Sequence, residues 1–294
     1  SRCLVGSEMC IRDRIKQAKD GIVVSYDLHK AIEDTDQLKS DPESSRIYFN
    51  KGTAIEENSI FKRPDLAKTL TRISEYGRDG FYKGEVAEKI VLAMKQNGGM
   101  FSLKDFEEYK ATFSDPIVAS YRGNLVFTAG PPSGGGITLL TALNVLSYFD
   151  LKKFNSDSAL TYHLLSEAIR RGHNNRSHYV GDPEYFNVPV DQLLSKKRTE
   201  HLVKSIDLKK ATKSTVVKPF ELITESRDTT HYSIIDSDGN AVSNTYTLGY
   251  SFGSGVTIPG TGILMNNQMN NFANRYVDKS IRGRSASTGN RFEP

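Results

Sequence analysis

Two stretches, "THYSIID" and "AVSNTYTL", alternate on either side of "SDGN". Alternation is the period of a β-strand, and Asp238-Gly239 supplies a tight turn, so this part of the chain is constrained to an antiparallel hairpin. The chain before it behaves differently. Residues 208 to 228, "LKKATKSTVVKPFELITESRD", lose clear periodicity and are rich in Lys, Thr, Ser and Glu, which reads as an exposed, mobile segment. Thr229 stands where that segment becomes a strand.

The position has a chemical meaning. A threonine hydroxyl is a weak nucleophile and needs an adjacent base. If the chain is cut before Thr229, the new α-amino group, with a pKa of about 7.7 to 8.0, can take the proton from its own Oγ. An irregular segment ending at Asp228 leaves room for the cut, and the strand fixes the new terminus. The competing reading is two threonines in an edge strand.

Other motifs carry less. "GYSFG" matches a nucleophile elbow with Ser251 at its centre, yet an elbow needs a helix directly after the serine. "SGVTIPGTG" is built of glycine, proline and β-branched residues, and no histidine follows Ser251. "PPSGGG", Pro131 to Gly136, leads into a helix but lacks the Lys-Ser/Thr of a phosphate loop, so a tight turn that lets a helix pack close to a strand is the expected role. His173, His178 and Asp182 in "GHNNRSHYVGD" have no ligand spacing and read as surface or packing residues; neither a metal nor a cofactor is expected.

Helices are expected in three places with clear signals. "PDLAKTLTRISEY" puts Leu66, Leu70 and Ile73 on one face behind Pro64; "GEVAEKIVLAMKQNGG" repeats Val86, Ile90 and Met94 at spacing four and stops at Gly98; "SLKDFEEYK" opens with Ser102 and Asp105 as a capping box. "IVASYRGNLVFTAG" predicts two short strands around Arg122-Gly123, and helical stretches are expected from Ile137 to Phe149 and from Ser158 to Arg171.

A chain of 294 residues is long enough for one large or two ordinary domains. Its longest apolar run, Ile137 to Leu146, is broken by Thr138, Thr141 and Asn144 and falls far short of the ~20 residues of a membrane span. The net charge of +4 is spread without a run of five basic residues, so nucleic-acid binding is not expected. Cys3 and Cys10 both fall in "SRCLVGSEMCIRDR", which shows no helical or strand periodicity and resembles a translated adapter; residues 1–14 are therefore expected to be a non-native leader. The remaining chain has no cysteine, which fits either redox compartment.

Taken in order, "GRDGFYKG", "NGGMFSLKDFEEY", "YRGNLVFTAGPPSGGG", "YVGDPEY", "DTTHYSIIDSDGNAVSNTYTL" and "FGSGVTIPGTGILMNNQM" resemble the γ-glutamyltranspeptidases of the N-terminal-nucleophile (Ntn) hydrolase superfamily, from about residue 15 to 272. The resemblance implies an α+β fold, the Ntn-hydrolase αββα sandwich, and a precursor that cuts itself between Asp228 and Thr229. Residues 15–228 would then be the C-terminal part of a large subunit and residues 229–294 the N-terminal part of a small one, the two staying associated. It also implies that Thr229 is the nucleophile, that the Thr247 hydroxyl hydrogen-bonds it, and that Gln268 holds the substrate's α-amino group. Two positions depart: Gly249 stands where the family usually has Asn, and Asn271 where it has the substrate-binding Asp.

Members usually continue past "GNRFEP" into a Gly-Lys-Arg-Pro-Leu-Ser-Ser stretch and a Gly-Gly oxyanion hole, and carry a carboxylate-clamping arginine upstream of residue 15. The chain is accordingly expected to be a fragment, inactive by itself. The implied activity is hydrolysis or transfer of γ-glutamyl groups from glutathione and related amides to water, an amino acid or a peptide, in the periplasm or outside the cell. The alternatives are a glutaryl-amide acylase of the same fold and an unprocessed, non-catalytic homologue.

Overall fold

A computed structural model describes residues 2–213 and 230–271. They fall into two compact units, one built from residues 2–111 and 230–268 and the other from residues 112–213 and 269–271. The first unit opens with α1 (Arg2–Asp20), β1 (Ile22–Val23), α2 (Tyr26–Glu33), α3 (Asp36–Ser40) and α4 (Pro42–Tyr48). Then come β2 (Phe49–Asn50), β3 (Thr53–Ala54), β4 (Ile60–Phe61), α5 (Pro64–Tyr76), α6 (Asp79–Tyr82), α7 (Glu85–Gln96) and α8 (Leu103–Glu108). The second unit holds β5 (Ile117–Tyr121), β6 (Asn124–Thr128), α9 (Gly134–Leu146), α10 (Ala159–Tyr179), α11 (Val190–Leu193) and α12 (Lys196–Lys204). The chain returns to the first unit with β7 (Thr230–Ile235), β8 (Ala241–Tyr246), β9 (Thr257–Ile258) and β10 (Ile263–Leu264).

Local chemistry accounts for much of this. α5 begins on Pro64, where a missing N–H is no loss, and its buried edge is Ala67 and Thr69, with Leu66, Leu70 and Ile73 half-buried beside them. α7 carries Glu85 and Glu88 in its first turn and Lys95 in its last, each at the favourable end of the helix dipole. Ahead of α8 the Ser102 backbone N–H and hydroxyl both donate to the Asp105 carboxylate, at 2.7 and 2.9 Å, and hold that carboxyl below its usual range. β5 and β6 pair antiparallel around Arg122-Gly123, as expected.

Three expectations need correction. Residues 2–20 are helical although residues 1–14 show no helical or strand period: Ala18 is buried, its carbonyl accepts from Arg63 N–H, and α1 packs on α5, so tertiary contact overrides a weak local signal. α9 begins at Gly134 and ends at Leu146, earlier at both ends than the expected 137–149. α10 runs on to Tyr179, past the expected end at Arg171, so His173 and His178 are helical. Gly172 sits inside it because α9 lies too close for a side chain: a Cβ there would overlap the Thr138 carbonyl oxygen. The same logic explains "PPSGGG", since a Cβ at Gly136 would overlap the Ala129 carbonyl oxygen at the end of β6; the expected close helix–strand packing is present.

Among the described residues the strands pair two by two: β1 with β4, β2 with β3, β5 with β6, β7 with β8 and β9 with β10. The first unit has two apolar clusters, one around Val24, Ile32, Leu38, Tyr48, Phe61 and Phe252, the other around Val86, Ile90, Phe106 and Ile258. Both draw on residues before and after position 229. Buried polar contacts do the same: Ser44 Oγ donates to the Gly255 carbonyl at 2.7 Å and lies 2.6 Å from Thr257 Oγ1, while the Asp41 carboxylate accepts from Ser44 N–H at 2.8 Å and Thr257 N–H at 3.2 Å.

In the second unit α9 and α10 bury Val145, Leu146, Leu164 and Ala168. Beside them Glu167 and Arg171, 1% and 2% exposed, form an ion pair inside α10. Arg171 also donates to the Leu202 and Ser205 carbonyls at the end of α12, at 3.0 and 2.8 Å, and Glu167 accepts from the Thr212 N–H and hydroxyl at 3.0 and 2.6 Å. Burial opposes ionisation of Glu167, but the hydrogen bonds from Thr212 and Arg171 outweigh it and hold the carboxyl below its usual range.

Candidate active site

The hairpin is formed as the sequence requires. Asp236 accepts from the Asp238 and Asn240 N–H groups at 3.0 and 2.8 Å and from the Asn240 amide at 2.8 Å, closing the turn; these bonds, led by the Asn240 side chain, lower its carboxyl pKa. The ladder runs from Ile235 opposite Ala241 to Thr230 opposite Tyr246. Asp228 and Thr229 lie outside the described residues. Thr230 follows Thr229 in the chain and Thr247 follows Tyr246, so each candidate threonine is the immediate neighbour of one member of the same cross-strand pair.

Thr247 begins a loop that is held against residues 266–268. Its Oγ1 accepts from Gly249 N–H at 2.9 Å, and its carbonyl accepts from Gln268 Nε2 at 3.4 Å. Asn267 N–H donates to the Leu248 carbonyl at 2.9 Å, and Asn267 Oδ1 accepts from Tyr250 N–H at 2.9 Å. Thr247, Gly249 and Gln268 are thus brought together, while Asn271 closes a short 3-10 turn, Gln268–Asn271, with its side chain outside the described residues.

The polar equipment here is neutral. No Asp, Glu, Lys, Arg or His occurs from Gly239 to Asn274. His231, on β7, has its Nδ1 2.7 Å from Thr245 Oγ1 and its Nε2 3.2 Å from Ser243 Oγ, so its ring bridges the two strands. Two residues escape the motif-based reading: His231, whose bridge follows from the alternation once the register is known, and Asn267, whose contacts have no local signal. Ser251 lies in turns that lead into β9, with no helix after it, which leaves the elbow motif without its required context.

A solved γ-glutamyltranspeptidase from Helicobacter pylori superposes with a TM-score of 0.68 at 33% identity, covering 72% of this chain and 61% of that one. The cephalosporin acylase of Bacillus halodurans superposes with a TM-score of 0.77 at 28% identity, over 95% of this chain and 49% of that one. These likenesses define the class: the α+β, αββα fold of the Ntn hydrolases. The gamma-glutamyltranspeptidase family model matches residues 8–294, and the glutathione hydrolase proenzyme of Escherichia coli (strain K12) is 36% identical over 287 residues, 97% of this chain and 50% of that protein. The chain belongs to the γ-glutamyltranspeptidase family. It spans about half the length of the curated relatives it matches.

Proposed function

We propose that the whole protein is a precursor that cuts itself between Asp228 and Thr229 and then uses Thr229 to hydrolyse or transfer γ-glutamyl groups from glutathione and related amides. The observation that carries this reading is the Thr230–Tyr246 pair, flanked by Thr229 and Thr247, beside a stretch without a charged side chain. A nucleophile in such surroundings takes its base from its own α-amino group. In the first step Thr229 Oγ attacks the Asp228 carbonyl and the amide becomes an ester; water then releases the Asp228 carboxylate and leaves a free threonine amine. In turnover the same oxygen attacks the γ-carbonyl, the amine leaves with a proton, and water or an amino acid or peptide amine resolves the acyl-threonine.

The glutathione hydrolase proenzyme named above supports this reading, and so does the first unit, which is built from both sides of residue 229 through Asp41, Ser44, Gly255 and Thr257. The two products would stay together. Among the described residues no helix is long and apolar enough to cross a membrane; a periplasmic or secreted location is the one the family resemblance suggests. Gly249 and the absence of charge favour a second reading, an acylase for glutaryl amides, which carry no ammonium.

Intact-mass measurement on the full-length protein tests the cut. Wild type should yield two chains parting at Asp228–Thr229, and Thr229→Ala should remain one. A folded wild type that stays uncut through prolonged incubation would instead indicate an inert homologue.

A further inference from the structure

Gly249 and Asn267 share one side-chain position. Gly249 has φ +99°, a region that side chains rarely adopt, and a Cβ there would overlap Asn267 Oδ1 and stand 3.0 Å from its Cγ. Asn267 is not free to swing aside. Its backbone N–H is bonded to the Leu248 carbonyl and its Oδ1 to Tyr250 N–H. Because Tyr250 N–H requires an acceptor, the amide oxygen is committed, and Nδ2, which has no partner among the described residues, remains as a pair of donors. Donors suit a carbonyl or carboxylate oxygen and repel an ammonium.

We propose that Asn267 is a specificity-determining residue of the acyl-binding site: its carboxamide fills the volume that a side chain at 249 would need and offers N–H donors to an oxygen of the acyl group. The site then reads an acceptor in the acyl chain rather than an ammonium. This rests on the placement of the acyl site under Proposed function, while the steric exclusion between 249 and 267 stands apart from it.

The test uses the full-length protein with Gly249→Ala, Gly249→Asn, Asn267→Ala and the paired changes. Gly249→Ala should lower the melting temperature by about 2–4 °C, and at most half of that loss should remain in the Asn267→Ala background, where the overlapping atoms are gone. Asn267→Ala should raise KM for γ-glutamyl-p-nitroanilide and glutaryl-p-nitroanilide by a similar factor, about three- to tenfold for one neutral hydrogen bond. Gly249→Asn with Asn267→Ala moves the amide to a position not tied to Tyr250, where its oxygen can turn to an ammonium; the γ-glutamyl to glutaryl ratio of kcat/KM should rise about tenfold. Additive melting shifts, unchanged KM values in Asn267→Ala, or an unmoved ratio in the swap would each overturn the proposal. If wild type turns over neither donor while the melting shifts are non-additive, the enzymatic reading fails and the steric pairing of 249 with 267 stands.

Discussion

Thr230 and Tyr246 face each other as the end pair of the β7–β8 ladder, one residue from Thr229 on one strand and one residue from Thr247 on the other. The proposed function makes Thr229 a self-cutting nucleophile and Thr247 its hydrogen-bonding partner.

Thr247→Val tests that partnership. Valine nearly keeps the shape and removes the oxygen that accepts from Gly249 N–H, so the cost in stability should be about 1 kcal/mol. Self-cleavage and turnover should both slow, and Thr247→Ser, which restores a hydroxyl, should recover them. Equal rates for valine and wild type at equal expression would remove Thr247 from the chemistry.

Substrate charge gives a second prediction. Under the proposed function Asn271 stands where the family's substrate-binding Asp belongs and would offer a γ-glutamyl ammonium no countercharge; charge-assisted hydrogen bonds contribute ~1.5–3 kcal/mol against ~0.5–1.5 for neutral ones. Asn271→Asp should therefore improve kcat/KM for γ-glutamyl-p-nitroanilide roughly five- to thirtyfold relative to the glutaryl analogue. A wild type that already prefers the γ-glutamyl donor by several orders of magnitude would contradict the argument.

The contacts across residue 229 predict how the cut protein comes apart. Asp41 caps α4 through Ser44 N–H and also satisfies Thr257 N–H; Ser44 is fully buried and Thr257 1% exposed. Asp41→Ala removes a helix cap, about 0.5–2 kcal/mol, and leaves a buried donor unmet, about 1–3 kcal/mol. In urea titrations followed by gel filtration, the cleaved Asp41→Ala protein should separate into its two chains at a lower urea concentration than cleaved wild type. Identical midpoints would place the cohesion elsewhere.

Glu167 predicts a pH dependence in the second unit. Its folded carboxyl titrates below the unfolded glutamate value of about 4.3, so its contribution is complete above about pH 5 and is lost as pH falls through the folded value. Glu167→Gln strands Arg171 in the interior, which costs about 3–5 kcal/mol at pH 7. The melting-temperature gap between wild type and Glu167→Gln should be wide at neutral pH and narrow toward pH 3. A gap of constant width would mean that the ion pair does not govern it.

Local chemistry alone determined the β7–β8 hairpin, α5 with its leading proline, α7, the Arg122-Gly123 turn and the capping box at Ser102, because turn residues, caps and apolar period act within a few positions of one another. Thr229 stands out as a candidate from its place where an irregular segment becomes a strand, whereas Thr247 enters only through the family resemblance. Tertiary structure decided what depends on distant partners. α1 is helical because it packs on α5, and α10 passes through Gly172 because α9 lies against it. Asp41 and Ser44 reach Thr257 across more than two hundred residues, and Asn267 takes the space beside Gly249; such contacts leave no periodic trace, since each is set by where two separately folded segments meet.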